Sequence, residues 1–160
     1  MKSIFGFIRH LFQKKRGNSI EPLLHSNAER LFGEWSSGFG ISVPPSSRPL
    51  RLADVVGSYA VSGSNPSTTS EGYFGTLQLE PCGALVKAYW EIGHTHQPQH
   101  GVGFLKNDLL ALDFYYAEAG ERFYGQAIYR VAGDRLVGFW REHADGRIAP
   151  EVATLKNRLV

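Results

Sequence analysis

The pattern that decides the fold is clearest in residues 122–131, which read RFYGQAIYRV. One set of alternate positions is small or apolar: Phe123, Gly125, Ala127, Tyr129 and Val131. Because successive side chains of a strand point to opposite faces, this alternation predicts a strand with one buried face. Similar segments recur between Gly57 and Lys156, with turn signals every eight to twelve residues, which is typical of a β-sandwich or a closed barrel.

Eight strands are predicted from these segments: Gly57–Gly63, Gly72–Glu80, Leu85–Ile92, Gly101–Leu105, Asp108–Tyr116, Arg122–Val131, Leu136–Arg141 and Ile148–Leu155. Their connections are mostly of hairpin length, so neighbours in sequence should pair antiparallel as a meander. Closing the meander removes both exposed edges. The sequence therefore predicts an all-β, eight-stranded, up-and-down antiparallel barrel, preceded by one or two short N-terminal helices.

The predicted inward face mixes large and small side chains. The large ones are Tyr59, Tyr73, Trp90, Phe114, Tyr129 and Trp140, and the small ones are Gly75, Ala88, Gly125, Ala127 and Gly138. The small residues either accommodate their large neighbours in a filled core or leave a cavity for a small apolar ligand. In the second case the six aromatic residues would form the ligand-binding site.

Charge is distributed unevenly along the chain. Residues 1–20 hold five of the 17 basic residues and no acidic residue. The rest of the chain has 15 acidic residues against 12 basic ones, so the predicted barrel is mildly acidic and unsuited to nucleic-acid binding. The single cysteine, Cys82, cannot form an internal disulfide and gives no sign of an oxidising compartment.

Residues 1–20 predict a basic amphipathic helical arm. Its apolar stripe consists of Ile4, Phe5, Phe7, Ile8, Leu11 and Phe12, followed by the basic cluster Lys14, Lys15 and Arg16. Such a helix can lie on an anionic membrane surface or dock on a protein partner. Packing on its own barrel or on a second copy, a presequence and a disordered tail are the alternatives.

Residues 21–51 predict a short helix followed by a linker rich in Pro and Ser. The helix is expected from Asn27 to Trp35, with Ala28, Leu31, Phe32 and Trp35 on one face. The linker is stiff and extended, and residues 52–160 form the barrel domain.

The order of several motifs resembles a group of bacterial domains. Residues 57–66 read G-x-Y-x-V-x-G-x-N-P, and they are followed by Tyr73-Phe74-Gly75-Thr76-Leu77, Trp90, Gly101-Val102-Gly103, Leu136-Val137-Gly138-Phe139-Trp140 and Glu151. These domains are poorly characterised β-barrels, some loosely labelled fibronectin-binding, and the layout is also similar to the calycin barrels, the lipocalins and avidins. The resemblance implies a fold and no particular chemistry, because its motifs are structural glycines and aromatic residues.

Candidate catalytic and metal-binding residues are few. His94, His96 and His100 are weak zinc candidates, with Glu91 or Asp113 as a fourth ligand, but their spacing matches no defined metal motif and Pro98 predicts a loop. Asp113, Glu71, His100 and Glu151 lie near predicted strand ends and are the candidates for acid or base catalysis; all are more simply interpreted as surface groups. No cofactor motif is present in the sequence.

These patterns predict a cytoplasmic, non-enzymatic binding module. The arm would locate it on a membrane surface or within a larger assembly, and binding would use the barrel mouth or the outer face. The alternative is a carrier or an enzyme of the isomerase or cyclase kind, acting on a small apolar ligand inside the barrel.

Overall fold

The computed structural model describes Leu23 and residues 26–66 and 72–159, and it confirms the eight-stranded antiparallel barrel. The strands are β1 (Gly57–Ser64), β2 (Gly72–Cys82), β3 (Leu85–Ile92), β4 (Gln97–Lys106), β5 (Leu109–Glu118), β6 (Glu121–Ala132), β7 (Arg135–Glu142) and β8 (Ile148–Arg158). Each strand pairs with the next, and β8 pairs with β1 to close the barrel.

The start of β4 differs from the sequence prediction. The strand begins at Gln97, four residues before the predicted Gly101, and Pro98 lies within it rather than in a loop. Pro98 pairs only with Glu91 of β3, because pairing with β5 starts at Gln99. A proline can occupy a strand where one side has no neighbour to receive a hydrogen bond, so the stretch remains extended.

Aromatic rings lie over glycines inside the barrel. A Cβ atom added to Gly125 would lie 2.3 Å from Cζ of Phe114, and one added to Gly63 would lie 2.3 Å from the hydroxyl oxygen of Tyr73. Gly125 and Phe114 face each other across β5 and β6, as Gly63 and Tyr73 do across β1 and β2. The small inward residues therefore make room for large neighbours in a filled core.

The two ends of the barrel differ in polarity. Where β1 begins, the core is covered by Leu50, Leu52 and Val55 of the preceding segment, and we call this the sealed end. Val55 is fully buried and its carbonyl accepts a hydrogen bond of 2.6 Å from the Tyr59 hydroxyl. The opposite end, where β1, β3, β5 and β7 finish, carries buried polar side chains: Asn65, Gln97, Gln99 and Glu142. We call it the polar end.

Helix α1 (Ala28–Phe39) covers part of the outer surface. Its buried face consists of Ala28, Leu31, Phe32 and Trp35, the apolar face that the sequence predicts, and the helix continues four residues beyond the predicted Trp35. This face packs on outward residues of β5, β6 and β7: Leu109, Ala111, Ile128 and Phe139. The barrel thus has two apolar layers, one inside and one beneath α1. The predicted arm of residues 1–20 lies outside the described residues.

An ion pair between the buried Arg130 and the exposed Glu29 ties α1 to the barrel. Arg130 on the outer face of β6 donates to the carboxylate of Glu29, and its guanidinium carbon lies 4.9 Å from the ring centroid of Phe32. The carboxylate of Asp108 is 3.7 Å from Nε of Arg130 and accepts a hydrogen bond of 2.6 Å from the backbone N–H of Ser46. The linker after α1 is therefore held against the barrel as well.

Replacing Gly125 should reveal how tightly the interior is packed. In Gly125→Ala the new methyl group would clash with Phe114 and with the carbonyl oxygen of Arg141, 2.5 Å away. We expect the free energy of unfolding, measured with urea, to fall by about 1–3 kcal/mol. The matched control is Gly33→Ala on the exposed side of α1, where no heavy atom lies within 4 Å. That variant should gain roughly 0.5–1 kcal/mol, and equal stability of the two variants would contradict a filled interior.

Candidate functional site

A small cavity lies in the barrel interior. It is lined by Tyr73, Trp90, Ile92, Gln99, Phe114, Ala127, Tyr129, Trp140 and Glu151. Its volume is about 10 Å³, which is enough for about one water molecule. Five of the six aromatic residues predicted to face a ligand line this cavity. The sixth, Tyr59, is buried nearer the sealed end.

Among the described residues that line the cavity, Glu151 alone has an ionisable carboxyl group. It lies on β8 between Ala149 and Ala153, which share its inward face, and only 5% of its surface is exposed. The hydroxyl groups of Tyr73 and Tyr129 each donate a hydrogen bond of 2.5 Å to its carboxylate oxygens. The interpretation of Glu151 as a surface carboxylate is therefore wrong.

Burial controls the protonation of this cluster. It raises the pKa of Glu151 above the ordinary value of 4.5, while hydrogen bonds from Tyr129, Tyr73 and Trp90 act in the opposite direction. Burial and the nearby Glu151 carboxylate raise the pKa of both Tyr73 and Tyr129 well above 10.0. The two hydroxyl groups therefore keep their protons at neutral pH and act as donors to Glu151.

Polar atoms without partners lie towards the polar end. Nε2 of Gln99, Oε1 of Gln97 and Oδ1 of Asn65 are buried and make no hydrogen bond to any described residue. Gln99 also lines the cavity. Since a buried polar group without a partner costs about 1–3 kcal/mol, such a concentration of them is typical of a place that receives water or a ligand.

Four charged residues are buried in the part of the chain that the structure describes: Asp108, Arg130, Glu142 and Glu151. Glu142, which accepts a hydrogen bond from the Tyr116 hydroxyl, is a second buried carboxylate on the inward face. Among the described residues the only buried basic side chain is Arg130, and it lies on the outer face beneath α1.

An aromatic row crosses the outer surface of the barrel. Tyr89, His100, Tyr115 and Tyr124 lie opposite one another on β3, β4, β5 and β6, and we call them the outer row. Neighbouring ring centroids are 5.2 Å, 5.4 Å and 6.3 Å apart along the row. The side chain of Tyr124 is half exposed, and the guanidinium of Arg122 lies 4.7 Å from the Tyr115 ring centroid. This row was not predicted, although the outward positions of β6 include Tyr124.

The three histidines proposed as metal ligands occupy different surroundings. His94 and His96 are exposed in the turn between β3 and β4, and Nδ1 of His96 is 3.8 Å from the Glu91 carboxylate. His100 belongs to the outer row and stacks on Tyr115. In the part of the chain that the structure describes, no group of three or more His, Cys, Asp or Glu side chains could hold a metal ion.

The remaining sequence candidates do not join the interior site. Asp113 is exposed on the outer face of β5, as its alternation with Leu112 and Phe114 predicts. Glu71 and the nine residues of the predicted membrane or partner site, between Ile4 and Arg16, lie outside the described residues. The alternation Ala149, Glu151, Ala153 on β8 is the signal that could have identified Glu151 as an inward carboxylate.

A wider cleft lies on the outer surface beside the linker. It has a volume of about 360 Å³ and is lined by Glu29, residues 45–49, Asn107 and Asp108. Its charged groups are already engaged, since Asp108 accepts from Ser46 and Arg48 pairs with Asp54. We therefore place the candidate site in the barrel interior and on the outer row.

Two comparisons of this chain with known proteins found no match. No protein-family model matches it, and no curated protein is significantly similar to it. Within the described residues, no helix is both long and apolar enough to cross a membrane.

Proposed function

We propose that this chain is a non-enzymatic interaction module that binds a protein partner through the outer row. One observation carries this proposal. The interior is packed except for a cavity of about 10 Å³, whereas four aromatic side chains in contact with one another lie on the outer surface. Because the interior cavity is so small, the outer surface offers far more area for binding than the interior does.

The chemistry of the outer row favours a protein surface as its partner. Tyrosine and arginine are enriched among the residues that dominate binding energy in protein interfaces. The rings of His100 and Tyr115 stack at 26°, so each covers part of its neighbour's face. The row therefore presents ring edges and hydroxyl groups. These suit a partner surface that has both apolar groups and hydrogen-bonding groups.

Native mass spectrometry of the protein isolated from its own host tests this function. The wild-type chain should carry an additional protein mass, and Tyr124→Ala should weaken that complex about tenfold or more. Phe74→Ala is the matched control, because Phe74 is an exposed aromatic residue of β2 outside the row. A wild-type protein found only as the free monomer would contradict the proposal, as would equal loss in both variants.

We further propose that the basic arm locates the barrel, in the cytoplasm, on an anionic membrane surface. The support is the sequence of residues 1–20, in which six large apolar residues precede Lys14, Lys15 and Arg16. Each basic residue near such a surface contributes about 1 kcal/mol. The calycin-like layout that we propose for the barrel is compatible with this arrangement.

Co-sedimentation with liposomes tests the arm. The full chain should sediment with vesicles that contain phosphatidylserine and should be released by high salt. A chain that lacks residues 1–20 should stay in the supernatant, and neutral phosphatidylcholine vesicles are the control. Equal sedimentation of the two chains would exclude anchoring by the arm.

A second candidate function is a carrier or an isomerase-like enzyme for a small apolar ligand. The observation that favours it is the buried carboxyl group of Glu151 beside two tyrosine hydroxyl groups, an arrangement suited to proton transfer. The cavity would have to enlarge many-fold, because small-molecule pockets usually measure several hundred Å³. A small organic mass bound to the isolated protein, in place of a protein mass, would favour this candidate.

A further inference from the structure

Three buried amide side chains at the polar end have atoms without hydrogen-bond partners. Between 5% and 7% of the surface of Asn65, Gln97 and Gln99 is exposed. Oδ1 of Asn65 and Oε1 of Gln97 are acceptors, Nε2 of Gln99 is a donor, and none of these atoms bonds to a described residue. Because an unpaired buried polar atom is costly, this set calls for a ligand that both donates and accepts hydrogen bonds.

The amides begin at the cavity and continue towards the polar end. Gln99 lines the cavity together with Glu151, and Gln97 lies two residues earlier on the same face of β4. Since a strand rises about 3.3 Å per residue, the two amides are roughly 7 Å apart along β4. Asn65 follows β1, two residues beyond Gly63.

We propose that the cavity and the polar end bind a small polyol, with one of its hydroxyl groups in the cavity. A hydroxyl group has one O–H to donate and two lone pairs that accept. In the cavity its oxygen accepts from Nε2 of Gln99, and its O–H donates to the Glu151 carboxylate. Further hydroxyl groups donate to Oε1 of Gln97 and Oδ1 of Asn65. This site lies inside the barrel and goes beyond binding through the outer row.

Glu151 has room for one more hydrogen bond. An ionised carboxylate offers about four lone-pair sites, and the donors Tyr73, Tyr129 and Trp90 occupy three of them. When Glu151 is protonated instead, its own O–H can donate to the oxygen of the ligand. A hydroxyl group therefore suits both protonation states of Glu151, because it can serve as donor or as acceptor.

Size and polarity select the kind of ligand. The cavity volume of about 10 Å³ admits a group about as large as water, so a hydroxyl group enters and the carbon chain extends towards Gln97. The ionised carboxylate of Glu151 repels an anion, and an ammonium group has no lone pair to accept from Gln99. An apolar ligand would leave the amide atoms unpaired. A neutral molecule with several hydroxyl groups meets all these conditions.

The three tryptophans of the chain allow a direct test by NMR. Trp90 and Trp140 line the cavity, whereas Trp35 lies beneath α1 on the outside and serves as an internal control. Titration of the full chain with glycerol should give saturable shifts of the Trp90 and Trp140 indole N–H signals. The Trp35 signal should not move.

Matched compounds identify the groups that bind. Ethylene glycol should also give saturable shifts, whereas 1,2-dimethoxyethane, in which methyl groups replace both hydroxyl hydrogens, should give none. 1-Propanol has the carbon chain of glycerol but a single hydroxyl group, and it should bind about tenfold more weakly than glycerol because it loses the hydrogen bonds to Gln97 and Asn65. Equal affinity for glycerol and 1-propanol, or no saturable shift with either polyol, would overturn the proposal and leave a water molecule as the occupant.

Variants place the polyol at the Gln99 amide. Gln99→Leu removes the amide with little change in size, and we expect the affinity for glycerol to fall about tenfold. Stability measured without polyol should not fall, because Nε2 of Gln99 bonds to no described residue.

The matched control is Gln78→Leu. Gln78 lies on the outer face of β2, between the inward residues Leu77 and Leu79, and accepts a hydrogen bond from Ser58. This variant should bind glycerol as the wild-type chain does. Unchanged affinity in Gln99→Leu would contradict the site. If Gln99→Leu does not fold, the comparison of ethylene glycol with 1,2-dimethoxyethane on the wild-type chain decides.

Discussion

The packing of aromatic rings over glycines is the constraint on which the rest of the structure depends. Phe114 covers Gly125 and Tyr73 covers Gly63, each across one pair of neighbouring strands. A closed barrel of eight strands has little room inside, and the rings can enter only where the opposing strand has no side chain. The same arrangement directs the hydroxyl groups of Tyr73 and Tyr129 towards one point on β8.

That point is occupied by Glu151, and its burial follows from the filled interior. The rings bury the carboxyl group, which accepts hydrogen bonds from the Tyr73 and Tyr129 hydroxyl groups. The sealed end closes one side with apolar side chains, and the polar end keeps amide groups and Glu142 near the opening. The interior thus has a cavity of only about 10 Å³ beside a buried carboxyl group that accepts hydrogen bonds. On the outer surface, Tyr115 and Tyr124 are exposed.

Much of this fold could be predicted from the sequence, because period-two alternation and hairpin turns are local signals. The alternation of Phe123, Gly125 and Ala127 with polar residues determines which face of β6 is buried, and the apolar face of α1 is evident in the same way. The start of β4 was missed, because Pro98 normally interrupts a strand and is tolerated here only where β5 is absent.

The candidate site was harder to predict than the fold. The inward position of the aromatic residues around the cavity can be predicted from alternation. The inward position of Glu151 can be predicted only if β8 is known to be a strand of a closed barrel. The partnership of Glu151 with Tyr73 and Tyr129 joins residues 78 and 22 positions apart in sequence, and no local pattern encodes such a contact. The outer row depends in the same way on the register of four strands.

The burial of Glu151 has a defined effect on stability. A carboxyl group whose pKa is higher in the folded chain than in the unfolded chain binds its proton more tightly when folded. Its contribution is therefore most favourable at low pH, and it is lost as the pH rises from about 4.5, the ordinary value, through the folded pKa. Glu151→Gln does not titrate and should lack this loss.

The most direct measurement is the pH titration of the Glu151 carboxyl carbon by ¹³C NMR, assigned by comparison with Glu151→Gln. A filled interior that buries the Glu151 carboxyl group predicts a titration midpoint above 4.5. A midpoint at or below 4.5 would show that the carboxylate is solvated or already paired with a positive charge, and it would contradict the account.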